Sequence, residues 1–207
     1  MDFTKDIVDT VGFYQKAFTL ILALALAEAF KQFVADKADK EEDRVIHWDR
    51  LWSLISFLFL IFPFFQGTSR YFYVRYLHDP KLLSDYAASI MFDGVMFTIE
   101  AALFFVMSRT LSPTLWRRFY YSVLWLFVID SIWAFFFWQL YAVDILSWLL
   151  LNLVATAVLG AFIVVNKCVR PGCTPSMACM ICCIGIIFRT ILDYSMMWSF
   201  YFPSAPA

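Results

Sequence analysis

The stretch FYYSVLWLFVIDSIWAFFFWQLYAVDILSWLLLNLVATAVLGAFIVV, residues 119–165, contains only two charged residues, Asp130 and Asp144. An α-helix needs about 20 apolar residues to cross the ~30 Å hydrocarbon layer of a bilayer, so this run is long enough to cross twice. Asp144 supplies the division, because a short acceptor side chain is a good helix N-cap. The reading is two spans, about 119–143 and 145–165, with Asp130 inside the first and Asn152 inside the second. Almost nothing links them, so they must be antiparallel neighbours.

The same pattern extends in both directions. Toward the C-terminus, about 176–202 forms a span carrying Arg189 and Asp193. Toward the N-terminus, about 87–107 carries Asp93 and Glu100, and about 51–74 contains Pro63 and ends in the polar run Gln66, Gly67, Thr68, Ser69, Arg70. A first span, about 17–34, is the weakest, since Glu28 and Lys31 interrupt its second half. Before it, Phe3, Ile7, Val8 and Val11 recur at helical spacing among charges, as in an interfacial amphipathic helix that can run straight into the span. The expected fold is therefore all-α, a polytopic bundle of six spanning helices in a single membrane domain, with five spans plus an N-terminal interfacial helix as the alternative. The N-terminus has neither a basic n-region nor a small-residue cleavage site, so the first apolar segment reads as retained.

Composition agrees. Hydrophobic residues make up 62% of the chain and charged residues 16%, whereas soluble domains run near 45–50% and 25%. The net charge of -1 and the lack of a basic stripe argue against a nucleic-acid partner. Membrane lipid is the expected environment, with a homo-oligomer or a larger membrane complex as the expected assembly. Lys and Arg favour one side: nine lie in or beside loops 35–50, 108–118 and 166–175, against four on the other side. The positive-inside rule then puts those three loops in the cytoplasm and both termini outside.

Haem would need axial ligands, but the only histidines, His47 and His78, lie in loops. No G-x-S-x-G elbow, Walker loop or Rossmann glycine pattern occurs. A dyad of Asp93 or Asp130 with Asp193 matches no protease pattern, and lipid chemistry on the carboxylates has no motif behind it. The chain reads as non-enzymatic, with no cofactor. All five cysteines fall between Cys168 and Cys183 at spacings that are not those of a zinc site, which leaves packing as the default reading and palmitoylation as another.

The informative residues are the polar ones at bilayer depth: Glu28, Arg70, Asp93, Glu100, Asp130, Asn152, Arg189 and Asp193. Such groups are costly in lipid, so they face the bundle interior or a wet cavity and pair with one another. Asp93 and Glu100 lie two turns apart on one face, and Arg189 and Asp193, four apart, can form an ion pair. Arg70 has no acid on its own helix and is expected to reach across to Asp93, Glu100, Asp130 or Glu28, or else to snorkel. Pro63 crowds the Phe59 carbonyl and leaves it needing a partner. The aromatic clusters around Tyr71 to Tyr76 and Trp116 to Tyr121 read as interface anchors.

More acid than base inside the bundle implies protonated, hydrated or cation-bound carboxylates. The leading functional expectation is conduction or transport of protons or cations, with Asp93, Glu100 and Asp130 on the path and Arg70 as counter-charge. The alternatives are a buried network that fixes helix register, joined by Gln66 and Tyr194, and a sensor, anchor or assembly subunit that docks a soluble partner through residues 36–50.

Overall fold

The start of the last long helix falls where the local chemistry predicts, while the expected N-cap Asp144 lies outside the described residues. Thr174 precedes Pro175, and its side chain accepts from the Met177 N–H at 3.4 Å. An N-cap hydroxyl followed by proline at the first helical position is a strong start signal. The computed structural model describes residues 3–35, 48–78, 86–111, 115–141, 145–168 and 174–203. It is 96% helical, with no strand among the described residues and six helices long and apolar enough to cross a membrane. These are α1 (Phe3–Ala35), α2 (Trp48–Phe72), α3 (Tyr86–Arg109), α4 (Trp116–Tyr141), α5 (Leu146–Cys168) and α6 (Pro175–Met196), with a single turn, α7 (Trp198–Tyr201), after the last. The expected soluble-partner loop, apart from the start of α2, lies outside the described residues, as do Cys173 and the side chain of Cys168.

The six-span reading holds, and two boundaries shift. α1 is one continuous helix from Phe3, so the amphipathic lead-in and the weak span are a single element. At the other end, α2 continues as a π-helical stretch over Tyr73–His78. In an α-helix, residues five apart diverge by about 140° around the axis. The wider turn brings Tyr71 and Tyr76 round to the same acceptor, as described below.

Neighbour contacts close the helices into a ring in the order α1, α3, α4, α5, α6, α2, with α2 also leaning inward on α3 and α4. Close approach is bought with small residues. Ala25 and Ala29 are fully buried, while Ala23 and Ala27 face outward. Gly94 on α3 lies against the Tyr14 ring of α1, where a Cβ would sit 2.5 Å from Cε1.

The two halves of the bundle differ. Around the start of α2 and α6, the start of α4 and the end of α3, packing is dry: Phe57, Phe104, Met107, Phe119, Val123, Cys179 and Cys183 are all fully buried. Several polar groups there bond locally. Ser56 Oγ and Tyr120 Oη are 3.1 Å apart, Tyr120 donates to the Cys179 carbonyl at 3.0 Å, and Ser53 donates to the Asp49 carbonyl at 2.9 Å. Cys179, Cys182 and Cys183 are buried free thiols, consistent with the packing role. The interface-anchor reading is corrected for five residues: Tyr71, Phe72, Tyr76, Phe119 and Tyr120 are buried in the core, while Tyr73 and Tyr121 are exposed. A helix end can be aromatic because it meets another helix as readily as because it meets headgroups.

Candidate functional site

The other half of the bundle, toward α7, holds a cavity of about 40 Å³ lined by α2, α3, α4, α5, α6 and α7. A water molecule needs about 10–15 Å³ by this measure, so the space suits roughly three. The polar and titratable residues among those lining it are Glu100, Asp130, Arg189 and Asp193, together with Thr68, Tyr71, Trp133, Trp148 and Tyr201.

A chain of contacts crosses one side. Asn152 donates to Asp130 Oδ2, and Arg189 donates through one guanidinium nitrogen to Asn152 Oδ1 at 2.7 Å. Through another it donates to Asp193 Oδ2 at 2.9 Å, the ion pair that the four-residue spacing implied. The Tyr201 hydroxyl donates to the same Asp193 oxygen at 3.4 Å. α4, α5, α6 and α7 are thus tied together through amide, guanidinium and carboxylate, and the Arg189 charge also lies 5.4 Å from the Phe127 ring centre. Asn152 is fully buried and sits at the centre because it can donate to one neighbour and accept from the other.

Glu100 is different. Its side chain is fully buried, and neither oxygen has a hydrogen-bond partner among the described residues. Asp193 Oδ1, Arg189 Nε and Trp148 Nε1 are also without partners there, and all four residues border the same cavity. Buried polar groups are nearly always satisfied. Five such exceptions, on four residues, cluster at this one space.

The remaining expected residues lie elsewhere. Asp93 is buried outside the cavity wall and accepts from Tyr71 at 2.7 Å, from Tyr76, and from Trp133 Nε1 at 2.9 Å. Three donors, at least one on each oxygen, make it an acceptor that anchors the π-helical stretch of α2 to α3 and α4. Arg70 does not reach a carboxylate: it donates to the Phe200 carbonyl at 3.2 Å and lies 5.3 Å from the Tyr73 ring. Glu28 accepts from Gln32 at 2.7 Å and pairs with Lys31 at 3.6 Å, all on α1. The fold therefore brings Glu100, Asp130, Asn152, Arg189 and Asp193 together and leaves Glu28, Arg70 and Asp93 apart.

No family model, curated protein or solved structure matches this chain. The site must be read from its own chemistry.

Two features of the site were not anticipated. Trp148 and Tyr201 enter the wall, and Gly67 makes room for both: a Cβ on it would sit 3.3 Å from Tyr201 Oη and 3.7 Å from the Trp148 ring. The turn α7 is held over the cavity from the QGTSR stretch, where Gln66 donates to the Tyr201 carbonyl at 3.4 Å and Arg70 to that of Phe200. The signal available in the sequence was the polar run Gln66 to Arg70 at the end of an apolar helix, which needs nearby acceptors.

Proposed function

We propose that this integral membrane protein carries protons or small cations, with Glu100 as the group that takes up and releases the charge. The observation that supports this is the Glu100 side chain, fully buried on a membrane-spanning helix beside the cavity, with neither carboxyl oxygen partnered among the described residues. An ionised carboxylate without a partner is very unfavourable in such a place, so the group must hold a proton or a cation. The cavity wall carries three carboxylates against one guanidinium, and Arg189 is already engaged by Asp193 and Asn152. In this reading, the Asp130–Asn152–Arg189–Asp193 chain is the fixed counter-charge, and Glu100 is the exchangeable group.

The orientation belongs to the same proposal: the Lys and Arg excess puts loops 35–50, 108–118 and 166–175 on the cytoplasmic side, so the cavity lies in the half of the bundle nearer the outside. Self-association, or membership of a larger membrane complex, is proposed alongside it.

The test is flux in proteoliposomes containing a pH-sensitive dye under an imposed potential. The wild-type chain is expected to pass protons or cations above the empty-vesicle rate, and Glu100→Gln to remove most of that flux while still folding. Wild-type vesicles that behave like empty ones overturn the proposal.

A further inference from the structure

The walls of the cavity are aromatic to an extent that proton carriage alone does not require. Phe64, Tyr71, Phe97, Phe127, Trp133, Trp148 and Tyr201 all border it. Four of these rings pack on one another: Tyr71 and Trp133 centroids are 5.1 Å apart, Phe97 and Trp133 5.2 Å, Tyr71 and Phe97 5.6 Å, and Trp133 and Trp148 6.0 Å. Ring faces attract cations that carry C–H or N–H surface, and attract them more strongly where water is excluded. One such contact is already present, Arg189 against Phe127.

Two of the residues lining it carry three carboxylate oxygens that have no donor among the described residues, Glu100 Oε1, Glu100 Oε2 and Asp193 Oδ1. We infer that the cavity is a binding site for a small organic ammonium ion, methylammonium to trimethylammonium in size, held by the Glu100 carboxylate and the surrounding rings. The size follows from a volume of about 40 Å³, which suits a guest of about three or four heavy atoms. An N–H cation suits the donor set better than a metal ion, because hard metal ions require six or more oxygens. Among the described residues, no group of three or more His, Cys, Asp or Glu is placed to hold one.

This rests on the reading of Glu100 as the exchangeable group and adds what it exchanges for. Protonated Glu100 loses its proton as the ammonium arrives: the O–H bond breaks, the proton leaves to water, and the carboxylate pairs with the incoming cation. The net charge of the cavity is unchanged, so each guest displaces one proton. The other charged and titratable groups facing this space are Tyr71 on α2, Asp130 on α4, Arg189 and Asp193 on α6 and Tyr201 on α7, with Asp93 two turns away on α3.

The test is isothermal titration of the full-length chain in nanodiscs with methylammonium, trimethylammonium and sodium chlorides at matched ionic strength, with proton release followed in weak buffer. Expected are saturable binding of the ammonium salts but not of sodium, about one proton released per guest, and affinity that falls as pH falls. Glu100→Gln should abolish proton release and binding. Trp148→Leu, which keeps every carboxylate, should weaken binding about five- to thirty-fold. Should Glu100→Gln fail to fold, Glu100→Asp is expected to bind more weakly with proton release intact. No heat from either ammonium salt, equal binding of sodium, or binding untouched by both Glu100→Gln and Trp148→Leu overturns the inference. Proton flux measured in the same preparation separates the two claims: flux without ammonium binding sinks only the ligand, and binding without flux sinks only the transport reading.

Discussion

Thr190 of α6 donates its hydroxyl to the main-chain carbonyl of Phe59 on α2 at 3.0 Å. That carbonyl is the one Pro63 deprives of its helical partner, since proline has no N–H to offer four residues on. Inside lipid no water can take its place, and a hydroxyl from the adjoining helix does so instead. α2 remains helical through Pro63, and the bond staples it to α6 at mid-membrane.

Thr190→Val, which keeps the shape and removes the hydroxyl, should therefore destabilise the bundle by about 1 kcal/mol. In a Pro63→Ala background the Phe59 carbonyl regains a helical partner, and the cost of Thr190→Val should largely vanish. A double-mutant cycle on heat-induced unfolding in detergent checks this, and equal costs in the two backgrounds would show that the bond is not replacing the missing N–H.

The Arg189–Asp193 pair makes an asymmetric prediction. Arg189→Met strands Asp193, and Asn152 loses its donor, at a cost of about 3–5 kcal/mol, because a single charge is left buried. Arg189→Met combined with Asp193→Leu removes both charges and should recover much of that loss. Yield of monodisperse protein and its unfolding midpoint are the measurements, and a double variant worse than the Arg189→Met single contradicts the account.

At the α1–α3 contact, Gly94→Ala places a methyl 2.5 Å from Tyr14 Cε1 and 2.7 Å from Cζ. The ring cannot withdraw without disturbing its stacking on Phe72 and Phe18. Overpacking of this kind costs about 1–3 kcal/mol, and Tyr14→Ala should relieve it. Crosslinking between engineered cysteines on α1 and α3 reports whether the helices separate.

What the sequence revealed and what it hid follow from the solvent. Six spans were legible because lipid demands long apolar runs, and the Arg189–Asp193 pair and the needy Phe59 carbonyl were legible because both are local consequences of helical spacing. The ring order was not, because the lipid-facing and inward-facing sides of a helix such as α3 are equally apolar, so periodicity does not tell them apart. For the same reason Asp93 and Glu100 looked equivalent, two turns apart on one face. They differ only through what other helices bring: Tyr71, Tyr76 and Trp133 converge on Asp93, while none of the described residues donates to Glu100. Arg70 was assigned to a carboxylate because a backbone carbonyl folded back from α7 cannot be foreseen from composition.

Buried charged groups occur at both ends of the bundle, Asp49 and Arg50 at the start of α2 and Glu100, Arg189 and Asp193 beside the cavity. A charge moving part-way through the bundle would cross only the share of a transmembrane potential that falls over its path, at about 2.3 kcal/mol per elementary charge for every 100 mV.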